Sequence, residues 1–377
     1  MKTIQTTQVN VPQGMINFGI GQPAPALLPL VELRKAAAHR LGQDDSSLLA
    51  YGAAPGDGHF RLVLARFLSE GYGLPVEAGQ LLVTNGASQG LDMLCTFFAN
   101  PGDTIFVEEP SYFLALRIFA DHHLNVVGIP MDENGIIIEA LEEKLKERQP
   151  VFLYTIPTFH NPSSITLSAA RRKRLVELSK THNFLIVADE VYQLLGYTVS
   201  PPRPLAGYVD AETVLSVGSF SKILAPGLRL GWIQAAPALL EPMVNSGMLD
   251  SGGGLNPFAS AIVCSVIELG LQHVYLGHLK THYQQCAATL SGALHRRLPS
   301  ISFIEPGGGF FVWLRFPDEV DTEALLVQAR QHNVGFEPGI SFSSQKGLRN
   351  YARLSFAYYD LPELEEGVDR LAHAIEL

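Results

Sequence analysis

Ser219-Phe220-Ser221-Lys222 is followed seven residues later by Arg229, so one lysine stands among small hydroxyl side chains and within reach of a fixed cation. An amine that attacks a carbonyl must first lose its proton. Burial and a neighbouring guanidinium both lower a lysine's pKa. The hydroxyls and the arginine also suit a phosphate. A phosphorylated aldehyde held by Lys222 as a Schiff base meets both demands, and pyridoxal phosphate (PLP) is such a molecule.

Further polar residues stand where apolar segments end. Leu185 to Tyr192, Leu-Ile-Val-Ala-Asp-Glu-Val-Tyr, reads as a strand closing on Asp189, from which a carboxylate keeps a ring nitrogen protonated. Tyr192 then reaches toward a ring oxygen, although a carboxylate that merely caps a turn fits the same string. Thr84-Asn85-Gly86-Ala87-Ser88-Gln89-Gly90 ends a strand and opens a helix, whose free amides and dipole favour phosphate at Ala87 and Ser88. An ordinary strand-to-helix turn also accounts for it. Tyr154 to Pro162 ends in Asn161-Pro162, where the amide of Asn161 can donate to a ring oxygen or form an Asx-Pro turn. Tyr112 offers a ring for stacking or for packing.

The elements that must position these residues alternate. Strands are expected at 80–84, 104–107, 125–130, 151–156, 184–188, 213–217 and 229–235, with helices at 89–99, 112–121, 138–148 and 168–182 among them. Such alternation predicts a largely parallel sheet covered by helices, with ligands at the strands' carboxyl ends. A helix over 31–41 precedes it. Long helices near 258–270 and 273–297, Gly307-Gly308-Gly309 opening a strand to Arg315, a helix near 322–332 and a strand at 351–356 form a second α+β layer.

At 377 residues the chain exceeds one ordinary core, and 47% apolar with 17% charged residues is a globular composition. A net charge of -10 argues against general attraction to nucleic acid or to an anionic membrane. Three widely spaced cysteines indicate neither a disulfide framework nor a cysteine zinc site, and no signal core or membrane-length apolar run is seen, so the cytoplasm is expected.

In order and spacing, Gly86 to Gly90, Tyr112, Asn161-Pro162, Asp189-Glu190-Val191-Tyr192, Ser219 to Lys222 and Arg229 resemble the fold-type I, class I/II PLP-dependent aminotransferases, nearest the kynurenine/2-aminoadipate and MocR-like branch. The resemblance covers nearly the whole chain. It implies an α/β fold, a mostly parallel sheet covered by helices, with a large PLP-binding domain over 46–272 and a smaller α+β domain from 1–45 and 273–377. It implies transfer of an amino group from an L-amino acid to a 2-oxo acid by a ping-pong mechanism. Lys222, Asp189 and Tyr112 become the catalytic residues, with Lys222 both anchoring the cofactor and shuttling the proton of Cα. Asp189 pairs with the ring nitrogen, Asn161 and Tyr192 with the ring oxygen, and Tyr112 stacks on the ring. Ala87, Ser88, Ser219, Ser221 and Arg229 hold the phosphate. Tyr51 reaches the phosphate of a partner subunit, so active sites are shared across a homodimer. Gly21, Asn161 and Arg353 receive the substrate, Arg353 by a bidentate fork to its α-carboxylate.

The chain departs from the family where Ser163-Ser164 follows Asn-Pro in place of the usual x-Gly, and where His160 replaces a frequent Gln. Asn245 to Leu255 contains no arginine, which removes the usual support for aspartate specificity. Two alternatives keep the cofactor: a carbon-sulfur β-lyase, and a non-catalytic sensor domain like that of MocR-like regulators, for which the N-terminal segment is too short to supply a winged helix. Other strings read as structure. Gly19-Ile20-Gly21-Gln22-Pro23-Ala24 has prolines where a dinucleotide site needs a helix. Arg171 to Arg174 is expected on a solvated helix face, and His278 and His282 as exposed helix histidines with no metal.

Overall fold

The computed structural model describes residues 7–375. In chain order these form β1 (Ile16–Asn17), α1 (Leu30–Leu41), α2 (Gly58–Tyr72), β2 (Leu81–Thr84), α3 (Ala87–Phe98), β3 (Thr104–Glu109), α4 (Phe113–Asp121), β4 (Asn125–Asp132), β5 (Gly135–Ile136) and α5 (Ile138–Glu147). They continue with β6 (Phe152–Thr155), α6 (Ala169–His182), β7 (Leu185–Asp189), β8 (Val214–Ser219), β9 (Gly231–Ala235), α7 (Pro237–Val244), α8 (Gly247–Gly252), α9 (Pro257–Glu268) and α10 (Leu271–Arg297). The last elements are β10 (Phe311–Arg315), α11 (Thr322–Gln331), β11 (Val334–Gly335), β12 (Glu337–Pro338), β13 (Tyr351–Ser355) and α12 (Leu361–Ile375).

An eight-stranded sheet in the order β2-β9-β8-β7-β6-β3-β4-β5 carries the fold. Its centre, from β8 through β7, β6 and β3 to β4, is parallel, whereas β9 runs antiparallel to both its neighbours and β5 turns back on β4. Helices bury both faces, so adjacent strand residues enter different cores. Val107, Tyr154 and Val187 join one cluster, and Phe106, Leu153 and Ile186 the other, against Leu141, Leu175 and Leu178 of α5 and α6. A smaller sheet, β10-β13-β12, packs beside it, and β1 pairs with β11.

The expected elements are present with ends shifted by one or two residues. The last strand of the large sheet begins at Gly231, not 229, because Arg229 adopts a left-handed conformation (φ 47°) after the short turn Pro226–Leu228. Sequence reading passed over α2, which Asp57 opens by accepting from Phe60 N at 2.7 Å and Gly73 (φ 66°) closes. It also passed over the short α7 and α8. The basic run of α6 is only partly solvated. Arg171 pairs with Asp132 and Arg174 with Glu142, but Arg172 is fully buried and donates to the carbonyls of Leu167, Pro157 and Arg203. His278 is exposed as expected, while His282 is half-buried at 3.4 Å from Cys286 Sγ.

Glycines let main chains cross where the site is built. A Cβ on Gly231 would lie 2.7 Å from Gly218 O and 2.9 Å from Gly86 Cα, so β9, β8 and the turn before α3 meet as bare backbone. No flexible side chain is there to yield. Gly231→Ala is expected to cost about 1–3 kcal/mol of stability, the range for forced overpacking, as measured by urea denaturation of the purified protein.

Candidate active site

The carboxyl ends of β6, β7 and β8 converge with β13 on one group of polar side chains. Lys222, three residues beyond β8, is half-buried; its Nζ donates to Gly21 O at 2.9 Å and lies 5.6 Å from the ring centre of Phe310. Burial, then Arg353 and Arg229, lower its pKa to about 8, with Asp189 pulling the other way. The cation with most influence is therefore Arg353, 131 positions away (353 minus 222), rather than the Arg229 that sequence proximity points to.

Asp189 ends β7 and is 4% exposed. Its Oδ2 accepts from Tyr154 OH at 3.0 Å, while the buried Oδ1 has no partner within the chain. Burial raises the carboxyl to about 6, against the lowering effects of Tyr154, the Val191 amide and Lys222. Glu190, the next residue, serves the opposite face. It accepts from Leu205 N, Ala206 N and Ser216 Oγ at 2.7 to 2.8 Å beside Arg172. Only Asp189 of the two is left with an acceptor to offer.

Arg353 lies at the centre of β13 and is 2% exposed. Nη1 donates to Asn161 Oδ1 at 3.0 Å and Nη2 to Gly19 O at 2.7 Å, whereas buried Nε has no partner. Its guanidinium carbon is 4.4 Å from the ring centre of Phe311, 5.0 Å from Phe342 and 5.7 Å from Phe113. Gly21 permits this crowding, since a Cβ there would stand 3.1 Å from the Phe311 ring and 3.8 Å from Arg353 Nη2. Tyr192, buried against Phe310 and Phe311, and Tyr112, at the start of α4, complete the group. Burial pushes the Tyr112 hydroxyl up to about 12.

A second group forms the anion cradle. Gly86 (φ 86°) precedes α3 without a side-chain cap, unlike the capped α2 and α6, so the first amides of the helix at Ala87 and Ser88 stay available. Ser219 Oγ donates to Ser221 Oγ at 3.0 Å, and Arg229 donates to Ser221 Oγ at 3.4 Å and Asn85 O at 3.1 Å. A Cβ on Gly86 would be 2.7 Å from Arg229 Nη2, so glycine is what lets the guanidinium lie over the helix start.

The chain thus brings together Lys222, Asp189, Asn161, Tyr192, Tyr112, Gly21 and Arg353, and beside them Ala87, Ser88, Ser219, Ser221 and Arg229. Tyr51 is not among them. It is 87% exposed on the loop after the turn Ser46–Leu49. Sequence reading missed Tyr154, Phe310 and the aromatic box of Phe113, Phe311 and Phe342. Of these only Tyr154 carried a signal, as a polar tip at the end of the strand beside Asp189. A lysine poised near neutrality, an orphan carboxylate oxygen and a bare helix start with an arginine over it fit the aldehyde, ring nitrogen and phosphate of pyridoxal phosphate. Among the described residues, His59, Cys264 and Glu268 bring metal-ligating atoms within 4.8 Å of one another. Arg40 and His59 already occupy Glu268 at 2.6 Å each and burial pushes the Cys264 thiol up to about 12, so this is an ion-paired cluster.

Comparison with known proteins agrees with that geometry. The chain is 33% identical to an aromatic-amino-acid aminotransferase of Thermococcus litoralis, over all of this chain and 90% of the relative. It is 32% identical to a 2-aminoadipate transaminase of Thermus thermophilus, over 96% of this chain and 90% of the relative. The solved structure of a Pyrococcus horikoshii kynurenine aminotransferase, in complex with PMP, superimposes with a TM-score of 0.90 at 30% identity, covering 96% of this chain and 91% of the other. With the family model for aminotransferase class I and II matching residues 13–371, the chain belongs to that family and is a pyridoxal-phosphate-dependent aminotransferase acting on amino and oxo acids.

Proposed function

We propose that this aminotransferase takes an aromatic or large apolar L-amino acid as donor and works as a homodimer with shared sites. The observation that carries the substrate reading is the aromatic box around Arg353. A substrate whose carboxylate engages Nε and the free hydrogens of Arg353 has its side chain only a few bonds away from those rings. The box is braced from the large sheet, where Glu109 accepts from Ser343 Oγ at 2.5 Å and from Ser344 N at 2.9 Å beside Phe342. A distal carboxylate would be desolvated there, and residues 245–255 supply no arginine to receive it. The aromatic and kynurenine names of two of the relatives support the same class, whereas the 2-aminoadipate transaminase is named for a donor with a distal carboxylate.

Bound in this site, pyridoxal phosphate supplies an aldehyde and an electron-accepting ring that takes up the electron pair left when the substrate Cα loses its proton. Lys222 would hold it covalently and, once displaced, its amine would serve as the general acid/base that carries the proton leaving the substrate Cα. Asp189, ionised above about 6, would keep the ring nitrogen protonated through the free Oδ1, with Tyr154 fixing the other oxygen. Asn161 and Tyr192 would serve the ring oxygen and Tyr112 the ring face, while Ala87, Ser88, Ser219, Ser221 and Arg229 hold the phosphate. Arg353 and Gly21 seat the α-carboxylate. Tyr51 would complete the phosphate site of a second copy. Leu49, Leu62, Met248 and Phe258 are, like it, about half or more exposed on the α1, α2, α8 and α9 side of the single chain.

The donor preference is tested by steady-state kinetics with 2-oxohexanoate, an acceptor without a distal carboxylate. Phenylalanine should exceed aspartate in kcat/KM by about ten- to a hundredfold, the value of burying one large apolar side chain; equal or better use of aspartate overturns the reading. Rapid release of pyruvate and ammonia from a β-substituted donor would instead favour the lyase, and an inert bound cofactor the sensor.

The lowered pKa of Lys222 sets the pH dependence of cofactor capture by the cofactor-free protein. Neutral amine rises as pH rises, so the capture rate measured by absorbance should climb about tenfold per pH unit below pH 8 and level off above it. Lys222→Ala should abolish both the covalent absorbance band and turnover.

Sharing is read from subunit mixing. Tyr51→Ala and Lys222→Ala proteins are each expected to be weak or inactive at limiting cofactor, and random pairing gives about half heterodimers with one intact site each. Recovery of about a quarter of wild-type activity supports sharing, whereas none denies it.

A further inference from the structure

We propose that Ser164 is a positioning residue for the α-carboxylate site, its hydroxyl clasping the Asn161 loop to β10 so that Asn161 and Phe311 hold the Arg353 guanidinium between them. Ser164 has φ 61°, a left-handed conformation that costs a residue with a Cβ about 1–2 kcal/mol and a glycine nothing. A strained non-glycine residue three positions from Asn161 asks for a compensating contact. The contact is the hydrogen bond from Ser164 Oγ to Phe311 O, made by a residue 7% exposed.

The geometry explains why that carbonyl matters. β10 is an edge strand of the small sheet, and its neighbour Ser355 gives its own N–H to Phe18 O at 2.8 Å. The serine hydroxyl therefore serves an edge acceptor that a strand would otherwise cover. Phe311 is also the ring nearest the Arg353 guanidinium, at 4.4 Å. The loop itself is closed by Ser164 N to His160 O at 2.7 Å and His160 N to Ile165 O at 2.9 Å. Beneath it, His160 is wedged 3.2 Å from Glu108 and 2.9 Å from Ser163 Oγ. At one end of this stiff loop Asn161 Oδ1 accepts from Arg353; at the other the Ser164 hydroxyl fixes the strand whose ring lies over the same guanidinium. The fork that receives a carboxylate is thus gripped from two sides by one six-residue loop.

The inference rests on the reading of Arg353 as the carboxylate site, and the test separates the two. Binding of 3-phenylpropanoate, which has the carboxylate and ring but no amine, is measured by calorimetry on the holoenzyme, together with KM and kcat for phenylalanine. Ser164→Gly removes the hydroxyl and relieves the backbone, so its thermal midpoint should stay within a few degrees of wild type. It should nevertheless weaken 3-phenylpropanoate and raise KM by about three- to tenfold, the worth of one hydrogen bond, with kcat changed less than twofold. Ser164→Ala, which keeps the left-handed Cβ, should lose the same affinity and be the less stable of the two. Unchanged binding in Ser164→Gly while Arg353→Lys weakens it overturns the clasp. A loss confined to Ser164→Ala assigns the effect to backbone strain and also overturns it. Unchanged binding in Arg353→Lys removes the carboxylate assignment and the clasp with it.

Discussion

A guanidinium almost out of water, without a carboxylate in hydrogen-bond contact, governs the arrangement of this protein. Arg353 has a carbonyl, an amide oxygen and ring faces around it, none of which carries a full negative charge. Glu337, paired with it across the small sheet, offsets burial only in part, and its pKa stays below the ordinary arginine value. A buried cation in that condition is costly, and an anion that enters beside it recovers the cost. On the proposed reading of Arg353 as the carboxylate site, substrate binding and the relief of this burial would be the same event. Arg353 also ties together three distant pieces of chain, since from β13 it donates to both Gly19 and Asn161.

The same charge acts on the Lys222 amine. Burial and Arg353 bring Lys222 down to about 8, while burial brings Asp189 up to about 6, so one pocket places an amine and a carboxyl on either side of neutrality. Neither value could arise from the local strings alone. Tyr154 then takes one oxygen of Asp189 and leaves the other facing the site, which converts a buried acid into a directed acceptor.

What the amino-acid string makes legible is what is local. Gly86 to Ser88, Asn161-Pro162, Asp189 and Ser219 to Lys222 each sit at a strand end, and a parallel sheet gathers strand ends by construction. Arg353 was found through resemblance to a family, because 192 residues separate it from Asn161 and no periodicity links them. The aromatic box was not found at all, since Phe113, Phe311 and Phe342 look like any core residue until their elements are packed. Arg172 was misread for the opposite reason. Its run of four basic residues looks solvated, and only the carbonyl ends gathered around it, with Glu190 at 3.8 Å, show why one of the four is buried. The overlooked α2 did carry signals, Asp57 before it and Gly73 after it, at the spacing of four helical turns.

Asp189 and Glu190 have a consequence for how the large sheet chooses its alignment. β7 is apolar on both faces, so a slip of one residue against β6 or β8 would exchange one greasy surface for another with little loss. The two acids forbid it. Glu190 is matched to two amides and a serine on one side, and Asp189 to a tyrosine hydroxyl on the other. A displaced strand would bury both carboxylates with no donors. The pair therefore works as a locating pin for the central strand, and correct assembly of the sheet and correct placement of the Asp189 carboxylate become one requirement.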